Sequence, residues 1–239
     1  MTLRKYIPDC ITSMNLVCGL IGVIFAIQSR LDLAFYCMLA ASVFDFLDGL
    51  AARMLDAYSD MGKELDSLCD LVSFGVLPGL MLCRLMQMFR FEEGWLCWLP
   101  LVLALFSALR LAKFNVDPRQ TAGFLGLPTP ASALLCGALC CYCSYSPVEF
   151  LSTWVAGPVF VPVLTLCLCA LLVSEIPMFS VKLHKGDPRP LTIKRLTLVI
   201  FLLAALVWCL AAGHHWSLAV LLGFAFYILN NLVYALFRL

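Results

Sequence analysis

Charged side chains are scarce in this chain: only 13% of its 239 residues are Asp, Glu, Lys or Arg, whereas 63% are hydrophobic. Typical soluble domains carry about twice that share of charge, because their surfaces face water. So little charge excludes an ordinary soluble domain and indicates an integral membrane protein. The net charge of +1 carries no information about partners, and we expect no nucleic-acid partner.

Histidine is also rare, with three in the whole chain, and the 13 cysteines form no zinc-like pattern. Cys140 and Cys143 make one C-x-x-C, but it lies inside a predicted membrane helix with no His or second Cys pair beside it. The cysteines are therefore predicted to be buried packing residues rather than metal ligands or disulfide partners. Their number argues against an oxidising compartment.

Linkers, repeats and low-complexity tracts are lacking, so we predict a single membrane-embedded domain over residues 1–239. The basic start of the chain leads into an apolar run without a small-residue cleavage site. We therefore expect no cleavable signal peptide.

Long apolar runs recur along the chain, and roughly 20 residues of helix cross a bilayer. The runs lack the alternation of a membrane barrel, so they predict an all-α, polytopic helical bundle. About eight transmembrane helices are predicted, at 11–28, 32–55, 66–88, 95–114, 129–145, 157–177, 196–213 and 216–237.

Basic residues predict the orientation. If the N-terminus is cytosolic, all 16 Lys and Arg residues except Arg30, Arg84 and Arg90 fall on the cytosolic side. This distribution satisfies the positive-inside rule and predicts a multi-pass protein of the cell (inner) membrane. The basic loop 178–195 follows the same bias, although attraction to anionic lipid headgroups is an alternative. Asn230 and Asn231 are predicted to form interhelical hydrogen bonds.

One polar motif interrupts the apolar sequence, with the pattern D-x2-D-G-x2-A-R-x8-G-x3-D-x3-D. Its members are Asp45, Asp48, Gly49, Ala52, Arg53, Gly62, Asp66 and Asp70. Spacings of three and four residues place each Asp pair on one helical face. Segment 56–65 is predicted to turn the chain back, so the two pairs should meet. Ionisable groups at membrane depth indicate a functional site.

Four converging carboxylates cannot all ionise unless a cation neutralises them. Their oxygen-only chemistry suits Mg2+, Mn2+ or Ca2+ rather than zinc. One alternative is a structural network in which basic residues pair with the carboxylates; the candidates are Arg53, Lys63, Arg110 and Lys113. Another is a cation channel or transporter, although a channel would favour acidic rings along a pore.

The small residues of the motif admit two interpretations. Gly49, Ala52 and Gly62 could allow close helix packing, or could leave room for a flat ligand beside the carboxylates. Near the same depth, Arg110 offers a planar fork to phosphate or carboxylate, and Lys113 offers a point charge. The alternative for these two cations is snorkelling to the membrane interface.

The motif resembles the signature of the CDP-alcohol phosphatidyltransferase family, and other segments resemble its phosphatidylserine synthase branch. These segments are IPDCITSMNLVCG, DSLCDLVSFGVLP, RLAKFNV, GFLGLPTPASA and SEIPMFSVK. The resemblance implies a six-helix core over about 1–180, followed by two additional helices over about 196–237. It also implies a homodimer among membrane lipids.

The resemblance further implies transfer of the phosphatidyl group of CDP-diacylglycerol to L-serine, with release of CMP, at a cytosolic metal site. Asp45, Asp48 and Asp66 would be metal ligands, and Asp70 would be the general base and also touch metal. The implied substrate contacts are Thr12, Asn15, Gly49, Ala52, Arg53, Gly62, Ser73, Arg110 and Lys113. Other acceptors, glycerol 3-phosphate or inositol phosphate, stay open, as does a cation transporter.

Overall fold

The structure, a computed structural model, describes residues 6–89, 94–117, 124–145, 154–155, 157, 159–179 and 189–237. Helices dominate these residues, so the all-α prediction is confirmed. They are α1 (Tyr6–Ile27), α2 (Leu31–Met54), α3 (Asp60–Leu71), α4 (Leu77–Met88), α5 (Val102–Val116), α6 (Thr129–Tyr145), α7 (Phe160–Val173), α8 (Arg189–Ala211) and α9 (Ser217–Phe237). A π-helical turn, Val72–Val76, joins α3 to α4, and a 3-10 helix, Trp95–Leu101, precedes α5. Residues 180–188, which are half of the basic loop 178–195, lie outside the described residues.

Six helical segments are long and apolar enough to cross a membrane, which agrees with the predicted membrane protein. They are Tyr6–Ile27, Leu31–Met54, Asp60–Met88, Trp95–Val116, Thr192–Ala211 and Ser217–Ala235. The helices α6 and α7 are shorter, with 17 and 14 residues. At 1.5 Å per residue, α7 rises only about 21 Å, less than the thickness of the hydrocarbon layer. The predicted count of eight is therefore approximate.

The centre of the bundle is α6, which is buried along nearly its whole length and contacts α2, α4 and α9. Gly137 permits this close packing, because a Cβ there would lie 2.6 Å from the ring of Phe35. Cys136, Cys140 and Cys143 are buried on α6, and the described cysteines are free thiols. The predicted packing role fits the buried cysteines of α6, but it is wrong for Cys10 and Cys167, which are exposed.

The third span begins earlier than the sequence indicated. Ser59 caps α3 by accepting a hydrogen bond from the Gly62 N–H at 2.9 Å, and Asp60 adds negative charge to the first turn. Both features stabilise a helix N-terminus. The predicted start at residue 66 is therefore wrong, and the predicted turn over 56–65 occurs but is shorter, since its residues from Asp60 onward are helical. The chain reverses within 55–59, and Asp66 lies in the second turn of α3.

A π-helical turn follows Asp70 directly. The Leu77 N–H donates to the Val72 carbonyl, five residues back, in place of the usual four. Pro78 has no N–H, so the α-helical bonding pattern is interrupted at this point. Such turns inside helices are frequent at functional sites, where they redirect side chains.

Two glycines let neighbouring helices approach the π-helical turn closely. A Cβ on Gly19 of α1 would overlap Ser73, and a Cβ on Gly75 would lie 3.0 Å from the Cβ of Ser107 on α5. The turn is therefore held between α1 and α5, with little room for larger residues.

The start of α6 is fixed by a short loop. Strand β1 (Phe124–Leu125) pairs antiparallel with β2 (Pro177–Met178). Gly126 then adopts φ +79°, and a Cβ there would lie 2.7 Å from the Leu172 carbonyl oxygen. Only glycine suits this conformation and this space. The loop thereby places Thr129, the first residue of α6, beside α5.

The opposite end of the bundle is closed by polar and aromatic contacts. Arg84 donates to the Ile27 carbonyl at 2.6 Å, at the end of α1. Asp32 accepts hydrogen bonds from Arg30 at 3.4 Å and from the Tyr145 hydroxyl at 3.3 Å. The Tyr145 ring stacks on His215 with centroids 4.2 Å apart. Partial burial lowers the pKa of His215, which favours its neutral form.

Candidate metal centre and substrate cavity

Three carboxylates meet where the end of α2 faces the start of α3. One oxygen from each of Asp45, Asp48 and Asp66 lies within 4.8 Å of the others. Asp48 is buried, and the other two are half-buried. The predicted convergence of the two Asp pairs is confirmed for these three residues.

The geometry of the three carboxylates fits a hard divalent cation. Oxygen ligands lie roughly 2.0–2.1 Å from Mg2+ and roughly 2.3–2.6 Å from Ca2+. Two oxygens on opposite sides of one ion are therefore about 4–5 Å apart, which matches the 4.8 Å limit of the cluster. The donor set contains neither His nor Cys, so its chemistry favours Mg2+, Mn2+ or Ca2+ over zinc.

Asp70 has different surroundings from the other three carboxylates. It is buried one turn further along α3 and lies outside the group within 4.8 Å. Its Oδ1 accepts a hydrogen bond from Asn15 Nδ2 of α1 at 3.0 Å. The Asn15 carbonyl in turn accepts a hydrogen bond from the Ser73 hydroxyl at 3.2 Å. The π-helical turn and α1 thus fix the orientation of the Asp70 carboxylate.

A cavity of about 440 Å³ opens beside these carboxylates. This size is typical of small-molecule sites. Its polar lining residues are Asp45, Lys63, Asp66, Ser67, Asp70, Arg110 and Asn115. Its other lining residues are largely apolar: Leu111, Phe114, Pro128, Pro130, Ala131, Leu134, Phe179, Leu198, Leu202, Gly223, Phe224 and Tyr227. The cavity can therefore accept a ligand with a charged part and an apolar part.

Arg110 is held within the protein on the wall of this cavity. It is buried, and its Nη1 donates to the Thr129 hydroxyl at 3.1 Å. Its guanidinium carbon lies 5.0 Å from the centroid of the Phe114 ring. Because both contacts are inside the protein, the snorkelling alternative is wrong for Arg110.

Lys113 is placed differently. Its Nζ pairs with Glu175 Oε1 at 3.5 Å, and both side chains are largely accessible. Among the described residues that line the cavity, the second cation is Lys63. Lys63 Nζ donates to the Asn115 carbonyl at 2.8 Å. The sequence predicted only a structural role for Lys63, although its spacing of three from Asp66 places both on one face of α3.

The small residues of the motif do not share one role. Within the described part of the chain, a Cβ built on Gly49 would have no atom within 4 Å apart from those of its adjacent residues and the backbone of its own helix. The packing interpretation is therefore wrong for Gly49, which borders open space beside Asp48. A Cβ on Gly62 would instead lie 2.9 Å from Asp9 Oδ1, so Gly62 permits contact between α3 and α1. Ala52 is half-buried and Arg53 is exposed.

Two other predicted substrate contacts, Thr12 and Ser73, are buried in the protein interior. The Thr12 hydroxyl donates to the Pro8 carbonyl of its own helix at 3.0 Å. Ser73 is fully buried beneath Gly19 and donates to Asn15. Neither is among the described residues that line the cavity. Ser73 is connected to Asp70 through Asn15.

Comparison with known protein families identifies this arrangement. The sequence model of the CDP-alcohol phosphatidyltransferase family matches residues 5–178. This chain belongs to that family. The matched stretch runs from α1 to β2 and contains all four Asp residues of the motif. It ends before α8. Family members use a divalent metal, in agreement with the carboxylate cluster.

Several curated relatives carry one name, CDP-diacylglycerol–serine O-phosphatidyltransferase. The Mycobacterium bovis protein is 36% identical over 222 residues, which cover 87% of this chain and 70% of the relative. The Bacillus subtilis protein is 32% identical over 183 residues, covering 77% and 95%. A relative from Methanocaldococcus jannaschii is 37% identical over 141 residues, covering 58% and 63%. The chain is therefore an enzyme of this family, and the transporter alternative is wrong.

Proposed function

We propose that this CDP-alcohol phosphatidyltransferase transfers the phosphatidyl group of CDP-diacylglycerol to the hydroxyl of L-serine, giving phosphatidylserine and CMP. The observation that carries the proposal is one cavity lined by Asp45, Asp66, Asp70 and Arg110, with Asp48 completing the carboxylate cluster. Serine as the acceptor is supported by the names of the mycobacterial, Bacillus and archaeal relatives.

In this proposal Asp45, Asp48 and Asp66 hold a divalent cation, Mg2+, Mn2+ or Ca2+. When bound, such an ion supplies Lewis-acid stabilisation of the negative charge on the donor's diphosphate. The two helices hold the three carboxylates together in advance, so little reorganisation is needed when the donor arrives. The open space at Gly49 leaves room for the cytidine nucleotide next to the cluster.

Asp70 is the proposed general base. As the serine oxygen forms its bond to the lipid-bearing phosphorus, the bond from that phosphorus to the CMP oxygen breaks, and the serine proton passes to Asp70. A carboxylate is a weak base for a hydroxyl, so proton transfer is expected late in the reaction. The hydrogen bond from Asn15 keeps the carboxylate in one orientation and makes Asn15 a positioning residue. Phosphoryl transfer depends chiefly on such positioning.

Arg110 is proposed to bind the donor diphosphate or the serine carboxylate through its planar fork. Lys63 supplies a second positive charge to the cavity lining, which also contains Ser67 and Asn115. Glycerol 3-phosphate and inositol phosphate carry a phosphate dianion and would require additional cations. Lys63 and Arg110 are the cations among the described residues lining the cavity, which favours an acceptor with a single carboxylate.

We also propose where the reaction takes place. The carboxylates lie at the ends of α2 and α3 that the basic residues assign to the cytosol. An N-terminus and active site on the cytosolic side of the cell membrane would suit the water-soluble serine and CMP. Residues 1–239 would form one domain, with a core over about 1–180 and a pair of C-terminal helices. The homodimer implied by the family resemblance belongs to the same proposal.

The test uses purified protein in liposomes that contain CDP-diacylglycerol, with radiolabelled serine as the acceptor. Labelled phosphatidylserine and an equal amount of CMP should form, and both should require the donor and a divalent cation. Labelled glycerol 3-phosphate and inositol phosphate are supplied in parallel reactions. Incorporation of either one, with serine inert, would overturn the acceptor. Absence of CMP release with every acceptor would overturn the proposed reaction.

A further inference from the structure

The two C-terminal helices form part of the cavity, although they lie beyond the stretch that matches the family. The match ends at residue 178, whereas α8 begins at Arg189. Leu198 and Leu202 of α8 line the cavity, together with Gly223, Phe224 and Tyr227 of α9. We call these five residues the C-terminal wall. They face the same space as the carboxylates and Arg110.

The C-terminal wall is fixed to the family core by a buried set of hydrogen bonds. The Tyr227 hydroxyl donates to the Phe179 carbonyl at 3.0 Å. The Phe179 N–H donates to Asn231 Oδ1 at 3.0 Å, and Asn231 Nδ2 donates to the Tyr227 carbonyl at 2.8 Å. The Phe179 and Tyr227 rings also meet edge to face, with centroids 5.1 Å apart. Asn231 was predicted to bond between helices, but these hydrogen bonds join it to the backbone after β2 and to its own helix.

The wall offers hydrocarbon to any ligand in the cavity. Four of its five residues have no polar side-chain atom, and the hydroxyl of Tyr227 is already donated to Phe179. A Cβ on Gly223 would overlap Leu202, so α8 and α9 are in close contact at the wall. Serine and CMP need polar partners, and Lys63 and Asn115 supply these elsewhere in the lining. Burying polar ligand groups against the hydrocarbon of the wall would cost free energy, so this part of the cavity favours an apolar ligand group.

We propose that the C-terminal wall receives the glycerol-proximal part of an acyl chain of the donor lipid. This inference rests on the proposed function, because it concerns the same donor in the same site. The occupant must be continuous with a group bound at the carboxylates, since the wall and the carboxylates line one cavity. A CDP-linked lipid meets this condition. A volume of about 440 Å³ admits only the first segment of a chain beside the headgroup, so the remainder extends into the bilayer.

The direct test is photo-crosslinking of the unmodified protein. One CDP-diacylglycerol carries a diazirine near the carboxyl end of an acyl chain, and a second carries it at the methyl end. The proximal probe should label peptides that contain Leu198, Leu202 or Phe224, and excess unlabelled donor should suppress the labelling. The distal probe should label exposed positions instead. If the proximal probe labels α1 or α2, or does not label the wall, the proposal is wrong.

A kinetic test compares two residues of the same helix. Phe224→Ala removes a ring from the wall, whereas Leu229→Ala changes a residue of α9 that is 60% exposed. Each methylene-sized contact is worth roughly fourfold in affinity. Phe224→Ala should therefore raise the KM for CDP-diacylglycerol at least several-fold and leave the KM for serine unchanged. Leu229→Ala should change neither. Equal changes in both KM values, or equal effects of the two variants, would contradict the wall as an acyl site.

Failure of this inference and failure of the proposed function are distinguishable. If labelled serine enters lipid but the proximal probe avoids the wall, only the inference fails. The proximal probe could instead label the wall, with unlabelled donor suppressing the labelling, while another acceptor reacts and serine does not. In that case the acceptor assignment fails, and the acyl site at the wall is still supported. The crosslinking reads donor binding alone and needs no turnover.

Discussion

At the end of the bundle where α1 turns into α2, the Asp32 carboxylate pairs with Arg30, whereas at the end where α2 turns into α3, three carboxylates lie within 4.8 Å of one another. Asp32 at the start of α2 accepts hydrogen bonds from Arg30 and Tyr145. Asp45 and Asp48, on the same helix, face another carboxylate, Asp66. One helix therefore carries Asp residues in two opposite electrostatic settings.

This difference shows that position in the fold, rather than residue type, decides whether an Asp carboxylate faces a basic residue or other carboxylates. At the closed end, where α1 turns into α2, Arg84 donates a hydrogen bond to the Ile27 carbonyl. This carbonyl lies at the C-terminus of α1, where carbonyls have no N–H partner within the helix. At the site end, where α2 turns into α3, the clustered carboxylates lie beside a cavity. A bound cation would neutralise their like charges, and the anionic donor would bind next to that cation. Substitutions at the site end should therefore reduce activity, whereas those at the closed end should reduce stability.

The largest expected effect comes from removing a carboxylate of the cluster. Asp45→Ala, Asp48→Ala or Asp66→Ala should lower turnover by about 10³-fold or more, since stabilisation by a bound metal is worth several kcal/mol. Membrane insertion should persist. The matched control is Asp32→Ala on α2, which should retain nearly full activity. Initial rates of CMP release measure both. Near-normal rates for any of the three cluster variants would contradict the metal assignment.

Asp70→Asn should have the next largest effect. The amide keeps the shape and can still contact Asn15, but it cannot accept the serine proton. Loss of a general base costs roughly 10²-fold or more in turnover. Donor affinity, measured by binding of a fluorescent CDP-lipid, should change far less. A variant that keeps its rate but loses metal affinity would show that Asp70 is a ligand instead.

The two cations of α5 give a smaller, graded contrast. Arg110→Lys should raise the KM for a substrate by roughly 10- to 100-fold, because one charge-assisted hydrogen bond is worth about 1.5–3 kcal/mol. A larger rise for serine than for the donor would assign Arg110 to the serine carboxylate, and the reverse would assign it to the diphosphate. Lys113→Ala removes only an accessible ion pair with Glu175, worth about 0–1 kcal/mol. Comparable effects of the two variants would contradict their different placement.

At the closed end, Arg84→Met should lower the free energy of unfolding by about 1.5–3 kcal/mol, because the Ile27 carbonyl loses a charged donor. Thermal denaturation in detergent measures this change. The KM values for serine and for the donor should remain those of the unmodified protein, since Arg84 is remote from the cavity. A KM change without a change in stability would mean that the two ends are coupled.

Much of the fold followed from the sequence, because long apolar runs and turn residues give the helix positions within a few residues. The start of α3 was missed because a single Ser59–Gly62 hydrogen bond outweighed the polar composition of 60–65. The π-helical turn had no periodic signal, and Pro78 was its only local indication. Such local bonding is decided by neighbouring helices, which sequence periodicity does not encode.

The sequence predicted the charged residues of the candidate site more completely than the apolar residues that line its cavity. The Asp spacing placed Asp45, Asp48 and Asp66 together, since helical faces follow from residue spacing alone. The contribution of α8 and α9 was not foreseen, because an apolar face such as that of Phe224 does not reveal which helix or ligand it will contact. For the same reason, Lys63 lines the cavity although only a structural role was predicted for it, and Lys113, a predicted substrate contact, pairs with Glu175 instead. Their surroundings depend on where α3 meets α5 and where Glu175 lies.

The central claim is that the carboxylates of the site end bind a divalent cation and those of the closed end do not. Binding of Mn2+ to purified protein, followed by electron paramagnetic resonance, tests it without requiring turnover. The unmodified protein and Asp32→Asn should both remove free Mn2+ from solution, whereas a variant with Asp45, Asp48 and Asp66 all changed to Asn should not. Equal Mn2+ binding by the triple variant and the unmodified protein would contradict the claim.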